Sequence, residues 1–257
     1  MSSRHLAFLG FSAFALFAVT AHPVHAQTRA SPASHCLQSI TSNPTAAVAE
    51  AEALYEAGNT IDSRQCLGVA LVAQGEAPRG ARVLQDLAND IAPKRDVSAA
   101  TKGLVWADTG RAWLEADDVP KSLAAFDAAV KLMPSDADLR VDRAVALGNA
   151  RRFWEAIDDL TAAINGGIET SEVYLLRATA WREVGTTELA TDDINRAAKL
   201  APKDPNVLLE RARLRVATND AAGAQQDLLA VMKAAPGTPA ALTAKQELES
   251  LTARTRR

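Results

Sequence analysis

The stretch Tyr174–Pro202, YLLRATAWREVGTTELATDDINRAAKLAP, places Ala178, Ala190, Ile194 and Ala197 at spacings that recur elsewhere in the chain. Written in rows of 34 residues starting at Gly103, Ala137, Ser171 and Pro205, the sequence aligns by column without a gap. The eighth column reads Gly110, Ala144, Ala178, Ala212 and the twentieth Ser122, Ala156, Ala190, Ala224. The twenty-fourth reads Phe126, Leu160, Ile194, Leu228, and the thirty-second Pro134, Ile168, Pro202, Pro236. Self-similarity at a fixed period of this length is the signature of a stacked repeat architecture.

Each row contains two helical patterns. In the third, Tyr174, Ala178 and Trp181 share one face, and Ala190, Ile194 and Ala197 share a face of the next helix. Small residues in the eighth and twentieth columns let two antiparallel helices approach closely, where a larger side chain overpacks the contact at about 1 to 3 kcal/mol. Gly185 and Asn219 break the chain between the helices. Pro134, Pro202 and Pro236 stop the second helix, since proline supplies no amide donor. Thr170, Asp204 and Thr238 are placed to cap the next one, with Pro205 and Pro239 at its first position.

Two further columns covary. The seventh holds Arg143, Arg177 and Arg211 and the twenty-third Asp159, Asp193 and Asp227, while the first row has Thr109 and Ala125 at these places. Both charges are missing together, so each arginine is expected to meet the aspartate of its own repeat.

These columns resemble the tetratricopeptide repeat family, with Trp106, Gly110, Phe126, Ala129 and Pro134 the closest single row. The resemblance covers Gly103 to Thr238. It implies an all-α fold, a right-handed α-solenoid of antiparallel helix pairs whose first helices line a concave groove. In the family the groove is lined by the second, fifth, ninth and twelfth columns. Carried over, its candidate partner-binding residues include Arg111, Val141, Val145, Leu175, Thr179, Arg182, Leu209 and Arg213. The stripe lacks the lysine and asparagine clamp with which some members hold a terminal carboxylate. Ile168 replaces the terminal proline after Asn165, Gly166 and Gly167, a departure that implies an altered angle between the second and third rows.

The four repeats are assigned to 103–136, 137–170, 171–204 and 205–238. Cys66 to Leu87 fits the same frame as a degenerate repeat if a row begins at Ile61, and Pro44 to Ala57 reads as an extra helix covering it, giving a segment 44–94. Residues 95–102 form a connector, with Asp96 as the expected cap of the following helix, and mark the expected joint between two subassemblies. Residues 239–257 supply a terminal capping helix and a basic tail of Arg254, Arg256 and Arg257.

At the other end, residues 1–26 read as a secretory signal: Arg4, an apolar run Leu6–Ala21, then Val24, His25, Ala26 as a cleavage site. The rival reading, a membrane anchor, falls short because the run has 16 residues against the roughly 20 a spanning helix needs. A soluble exported protein of a bacterial periplasm is expected, without stable membrane insertion, and with 27–43 mostly irregular. The net charge of −3 becomes more acidic when Arg4 is lost, and no basic stripe offers a footprint for nucleic acid.

Reactive chemistry is scarce. Of His5, His22, His25 and His35 only the last survives cleavage, and Cys36 and Cys66 are the two cysteines. Neither a histidine-cysteine zinc site nor a cysteine-histidine dyad is available. Asp192 and Asp193 are adjacent on a helix and do not face each other. No catalytic residue, metal or cofactor is expected, and the sequence points to a non-catalytic scaffold holding a peptide or helix in the groove, oriented by Arg111, Arg182 and Arg213. A structural subunit of an envelope assembly, binding through its convex face or ends, is the alternative. An enzyme or carbohydrate-processing factor is a third, without candidate residues, and self-association through an end of the stack also stays open.

Export favours a bridge between Cys36 and Cys66, worth roughly 3 to 4 kcal/mol on the chain-entropy model. The alternative is a pair of buried free thiols. Thiol titration of the denatured, unreduced protein is expected to find none, and a count of two would remove the bridge.

Overall fold

The computed structural model describes Ile40 and residues 43–255. The signal at 1–26, Cys36, and Arg256 and Arg257 of the basic tail lie outside the described residues. Twelve helices are present among them: α1 (Pro44–Ala57), α2 (Ile61–Ala73), α3 (Ala77–Ile91), α4 (Ala99–Glu115), α5 (Val119–Leu132), α6 (Ala137–Asn149), α7 (Phe153–Asn165), α8 (Ser171–Glu183), α9 (Thr187–Leu200), α10 (Pro205–Ala217), α11 (Ala221–Ala234) and α12 (Pro239–Thr255). No described residue is in a strand.

The helices divide into two compact units, one ending at Ile168 and one beginning at Glu169. In the first, α1 packs on the hairpin α2/α3, followed by α4/α5 and α6/α7; the second stacks α8/α9, α10/α11 and the single helix α12. Within each unit every second helix also packs on the next first helix. The first helices touch one another, α2 with α4 and α4 with α6 in one unit, α8 with α10 and α10 with α12 in the other. This is an α-solenoid of antiparallel helix pairs.

Each hairpin turns on one backbone device. Gly75, Asp117, Arg151, Gly185 and Asn219 all have positive φ and occupy the same place in their repeats. The next residue's N–H then reaches back to a carbonyl of the helix just ended: Asp118 to Trp113, Arg152 to Leu147, Thr186 to Trp181 and Asp220 to Arg215, at 2.8–2.9 Å. That closure satisfies helix carbonyls otherwise left without donors. The following first helices begin on side-chain caps. Asp136 accepts from Leu139 N–H at 2.9 Å, Thr170 from Val173 at 3.2 Å, and Asp204 from Asn206 at 2.7 Å.

The small-residue columns are as tight as the sequence requires. A Cβ on Gly110 would sit 2.7 Å from the Phe126 ring, and one on Gly80 would collide with the Gly68 carbonyl across the hairpin. The expected ion pairs span the same contact. Arg143 Nε donates to Asp159 at 2.6 Å, Arg177 Nε to Asp193 at 2.7 Å, and Arg211 Nε to Asp227 at 2.9 Å. A second guanidinium N–H reaches the other carboxylate oxygen in each case. The three aspartates are only 2–3% exposed, and bidentate geometry is what makes such a pair tolerable in the interior. In the first repeat the places are filled apolarly, with Ala125 buried and the buried Thr109 hydroxyl donating to the Val105 carbonyl at 2.7 Å.

Two expectations are corrected. The connector does not separate subassemblies: Leu87, Ala88 and Ile91 of α3 share one buried cluster with Val105 of α4, and Trp113 Nε1 donates to Gln85 at 3.1 Å. Apolar burial across the connector outweighs the interruption in the repeat, and the division between units falls at 168/169 instead. The cap of α4 is Ser98, accepting from Thr101 N–H at 3.0 Å, rather than Asp96, which lies ahead of the first turn.

Four variants are distinguished by urea unfolding monitored by circular dichroism. Asp193→Ala removes the bidentate carboxylate of the largely buried Arg177 and is expected to cost about 3 kcal/mol, whereas replacing the pair together by methionine and leucine is expected to recover most of it. Gly80→Ala should cost about 1–3 kcal/mol. Ser122→Ala should stabilise by about 1 kcal/mol, because the Ser122 hydroxyl is buried without a hydrogen-bond partner where other repeats carry alanine.

Candidate functional site

The eight candidate residues divide between the units. On the first-helix layer ending at Ile168 stand Arg111 of α4 and Val141 and Val145 of α6; Leu175, Thr179 and Arg182 of α8, with Leu209 and Arg213 of α10, stand on the other. Val141, Val145 and Thr179 are half-buried. Leu175 and Leu209 are 8% and 4% exposed and serve the helix packing from below the surface.

The three arginines are engaged with acids. Arg111 Nη1 donates to Asp108 at 2.8 Å, and its Nε and Nη2 donate to Asp142 of α6 at 2.9 and 2.5 Å. Gln65 of α2 donates to the same Asp108 at 2.6 Å, so α2, α4 and α6 are stitched in sequence. In the second unit Arg182 Nε donates to Glu210 of α10 at 2.5 Å and its Nη1 pairs with Glu183 at 2.7 Å. Arg213 reaches Glu210 at 3.4 Å and Glu247 of α12 at 2.9 Å. Glu210 is buried between the two arginines.

These contacts set the electrostatics. Burial works against the charge on Arg182, and Glu210 and Glu183 more than restore it, so its pKa is raised. Arg111 is raised in the same way, burial being opposed by Asp142 and Asp108. Burial also pushes the Asp142 carboxyl above its ordinary range; Arg111 pulls it back, and Asp108 and Asp138 add to the push. Acids outnumber arginines in both ladders: Glu183, Glu210 and Glu247 share Arg182 and Arg213, and Asp108 and Asp142 share Arg111, with Asp138 adding its charge to Asp142.

Sequence reasoning placed the arginines on this layer and missed their partners. The signal lay in the sixth column, where Asp108, Asp142 and Glu210 stand in three of four rows and Leu176 in the remaining one. Among the described residues no group of three or more histidine, cysteine, aspartate or glutamate side chains is placed to hold a metal ion. No helix among them is long and apolar enough to cross a membrane.

Glu210→Ala is expected to lower the unfolding free energy by about 2 kcal/mol, less than a fully buried pair because both arginines retain another acid. Arg182→Glu, which sets a carboxylate beside Glu183 and Glu210, should destabilise at least as much. Urea midpoints unchanged in both variants would mean that the ladder does not form in solution.

No family model and no curated protein matches the sequence. Solved structures do resemble the fold. A chain of the APC/C hetero-tetramer Cut9–Hcn1 matches with TM-score 0.69 at 13% identity over 86% of this chain and 42% of that one, so this chain spans less than half of it. PilF of Pseudomonas aeruginosa matches with TM-score 0.66 at 14% identity over 84% of this chain and 96% of that one. A thermophilic TPR protein of Thermus thermophilus matches with TM-score 0.56 at 16% identity over 75% and 99%. At these identities the likeness is one of fold, and the fold is that of a tetratricopeptide-like all-α repeat.

Proposed function

We propose that this chain is an exported, non-catalytic scaffold of the bacterial periplasm or cell envelope that holds a peptide or helix of a partner protein on the first-helix layer of a unit. The observation that carries the reading is the supply of side chains on the first-helix layer of each unit that hairpin packing leaves partly open. Val141, Val145 and Thr179 belong to it, as does Leu104, which is 52% exposed. Arg111, Arg182 and Arg213 act as fixed polar rungs, held by their acids and still partly accessible. Leu175 and Leu209 support the layer from beneath. Recognition of this kind lays an extended or helical segment along apolar contacts, with polar groups setting its register.

The bridge between Cys36 and Cys66 belongs to the same reading. Cys66 is fully buried where α1 meets α2, in a cluster with Ile40, Ala47, Val48 and Leu67, and no free cysteine is found among the described residues. A covalent tie at this edge suits an end repeat that has one neighbour only.

A second reading, contact through the second-helix layer, draws on Trp154 of α7, which is 60% exposed. Crosslinking in native envelopes separates the two. With Val145→Asp or Thr179→Trp, one specific crosslinked neighbour is expected to disappear while Trp154→Ala retains it. An unchanged set with the first two variants counts against the first-helix layer, and a loss confined to Trp154→Ala favours the outer one.

A further inference from the structure

The first-helix layer of the unit ending at Ile168 has a feature that its fold does not require. Gly148 lies in the last turn of α6, on the stripe of Asp138, Val141 and Val145, and a Cβ built on it would meet nothing within 4 Å. The other helical glycines of this unit, Gly68, Gly80, Gly103 and Gly110, are each in a contact that a Cβ would violate. A helical glycine costs roughly 0.5 to 1 kcal/mol relative to alanine, and here neither packing nor a positive φ calls for it. It leaves open space on an apolar stripe that faces outward.

The charge around this stripe is lopsided. Asp108, Asp142 and the exposed Asp138 stand near a single guanidinium, Arg111, whose contacts to Asp142 bring α4 and α6 side by side. Leu104, two turns before Arg111 on the same face of α4, adds an exposed apolar side chain. In the other unit Glu183, Glu210 and Glu247 share Arg182 and Arg213, so acids outnumber arginines there as well; what sets α4 and α6 apart is the exposed Leu104 and the open space over Gly148 beside the surplus acid. A partner bringing cations between apolar side chains would cover the leucine and valines, fill the space over Gly148 and neutralise the surplus aspartates.

We infer that the first-helix layer of α4 and α6 docks a protein segment in which apolar residues alternate with lysine or arginine. This rests on the proposal that the first-helix layer is the docking face, and it fixes the polarity of the partner. The selectivity comes from charge complementarity, which suppresses acidic segments and weakens with salt.

The test uses the exported chain and two short fluorescein-labelled peptides, one alternating lysine with leucine and one alternating glutamate with leucine, read by fluorescence anisotropy. The lysine peptide is expected to bind about tenfold or more tightly than the glutamate peptide. Asp138→Lys should weaken it several-fold, and Gly148→Trp, which fills open space and leaves the helix content intact by circular dichroism, should abolish it. Equal binding of the two peptides that is lost in Gly148→Trp would retain the docking face and overturn its basic preference. Binding of neither peptide at about 100 µM, or binding indifferent to both Gly148→Trp and Leu104→Asp, would overturn the inference and the docking face with it.

Discussion

The close approach of the two helices within each hairpin is the contact on which the rest is arranged. Where glycine faces glycine across α2 and α3, or Gly110 faces the Phe126 ring, there is no room for another carbon. Interiors packed to that density transmit strain instead of absorbing it, so the approach fixes the register of one helix on the other. The arginine of the seventh column and the aspartate of the twenty-third each lie beside a residue at this contact. Register therefore brings guanidinium and carboxylate together in every repeat that has them, and nearly complete burial of the aspartate makes the pair obligatory once one member is present. The first repeat shows the other stable solution, in which Ala125 and a self-satisfied Thr109 leave no charge to compensate.

A second set of ion pairs ties hairpin to hairpin, through the first helices. Arg111–Asp142 and Arg213–Glu247 are more exposed than the pairs inside the hairpins, Arg182–Glu210 is buried to a similar degree, and all three draw their partner from a neighbouring first helix or from α12. They change what the first-helix layer offers a ligand. Arginines that read in the sequence as free cationic handles are rungs already in use, which leaves the apolar and small side chains between them as the accessible chemistry. Both ladders hold more acid than arginine, and in the unit ending at Ile168 that surplus lies beside a glycine with open space above it.

The repeat period, the small columns and the pairing of Arg143, Arg177 and Arg211 with their aspartates were all legible in the sequence, since each rests on local periodicity or on residues appearing and vanishing together. The turn device was legible in part. Gly185 and Asn219 announce a left-handed residue, whereas Asp117 and Arg151 adopt the same conformation because the hairpin on either side imposes it. Ser98 as cap of α4 was likewise decided by where the helix could begin once Val105 had packed on Leu87 and Ile91.

What the sequence alone determined is the unit of construction, because a fixed interval between small side chains admits one way of pairing two helices. What only the tertiary structure decided is which charges remain for a partner and where the chain divides. Both depend on residues far apart in sequence. Arg111 meets Asp142 and Arg213 meets Glu247 across neighbouring helices, and the division at 168/169 follows the distribution of packing on either side of it, at the one row whose terminal proline is replaced by Ile168. Local pattern carries no record of such contacts, since their free energy exists only after the hairpins have stacked.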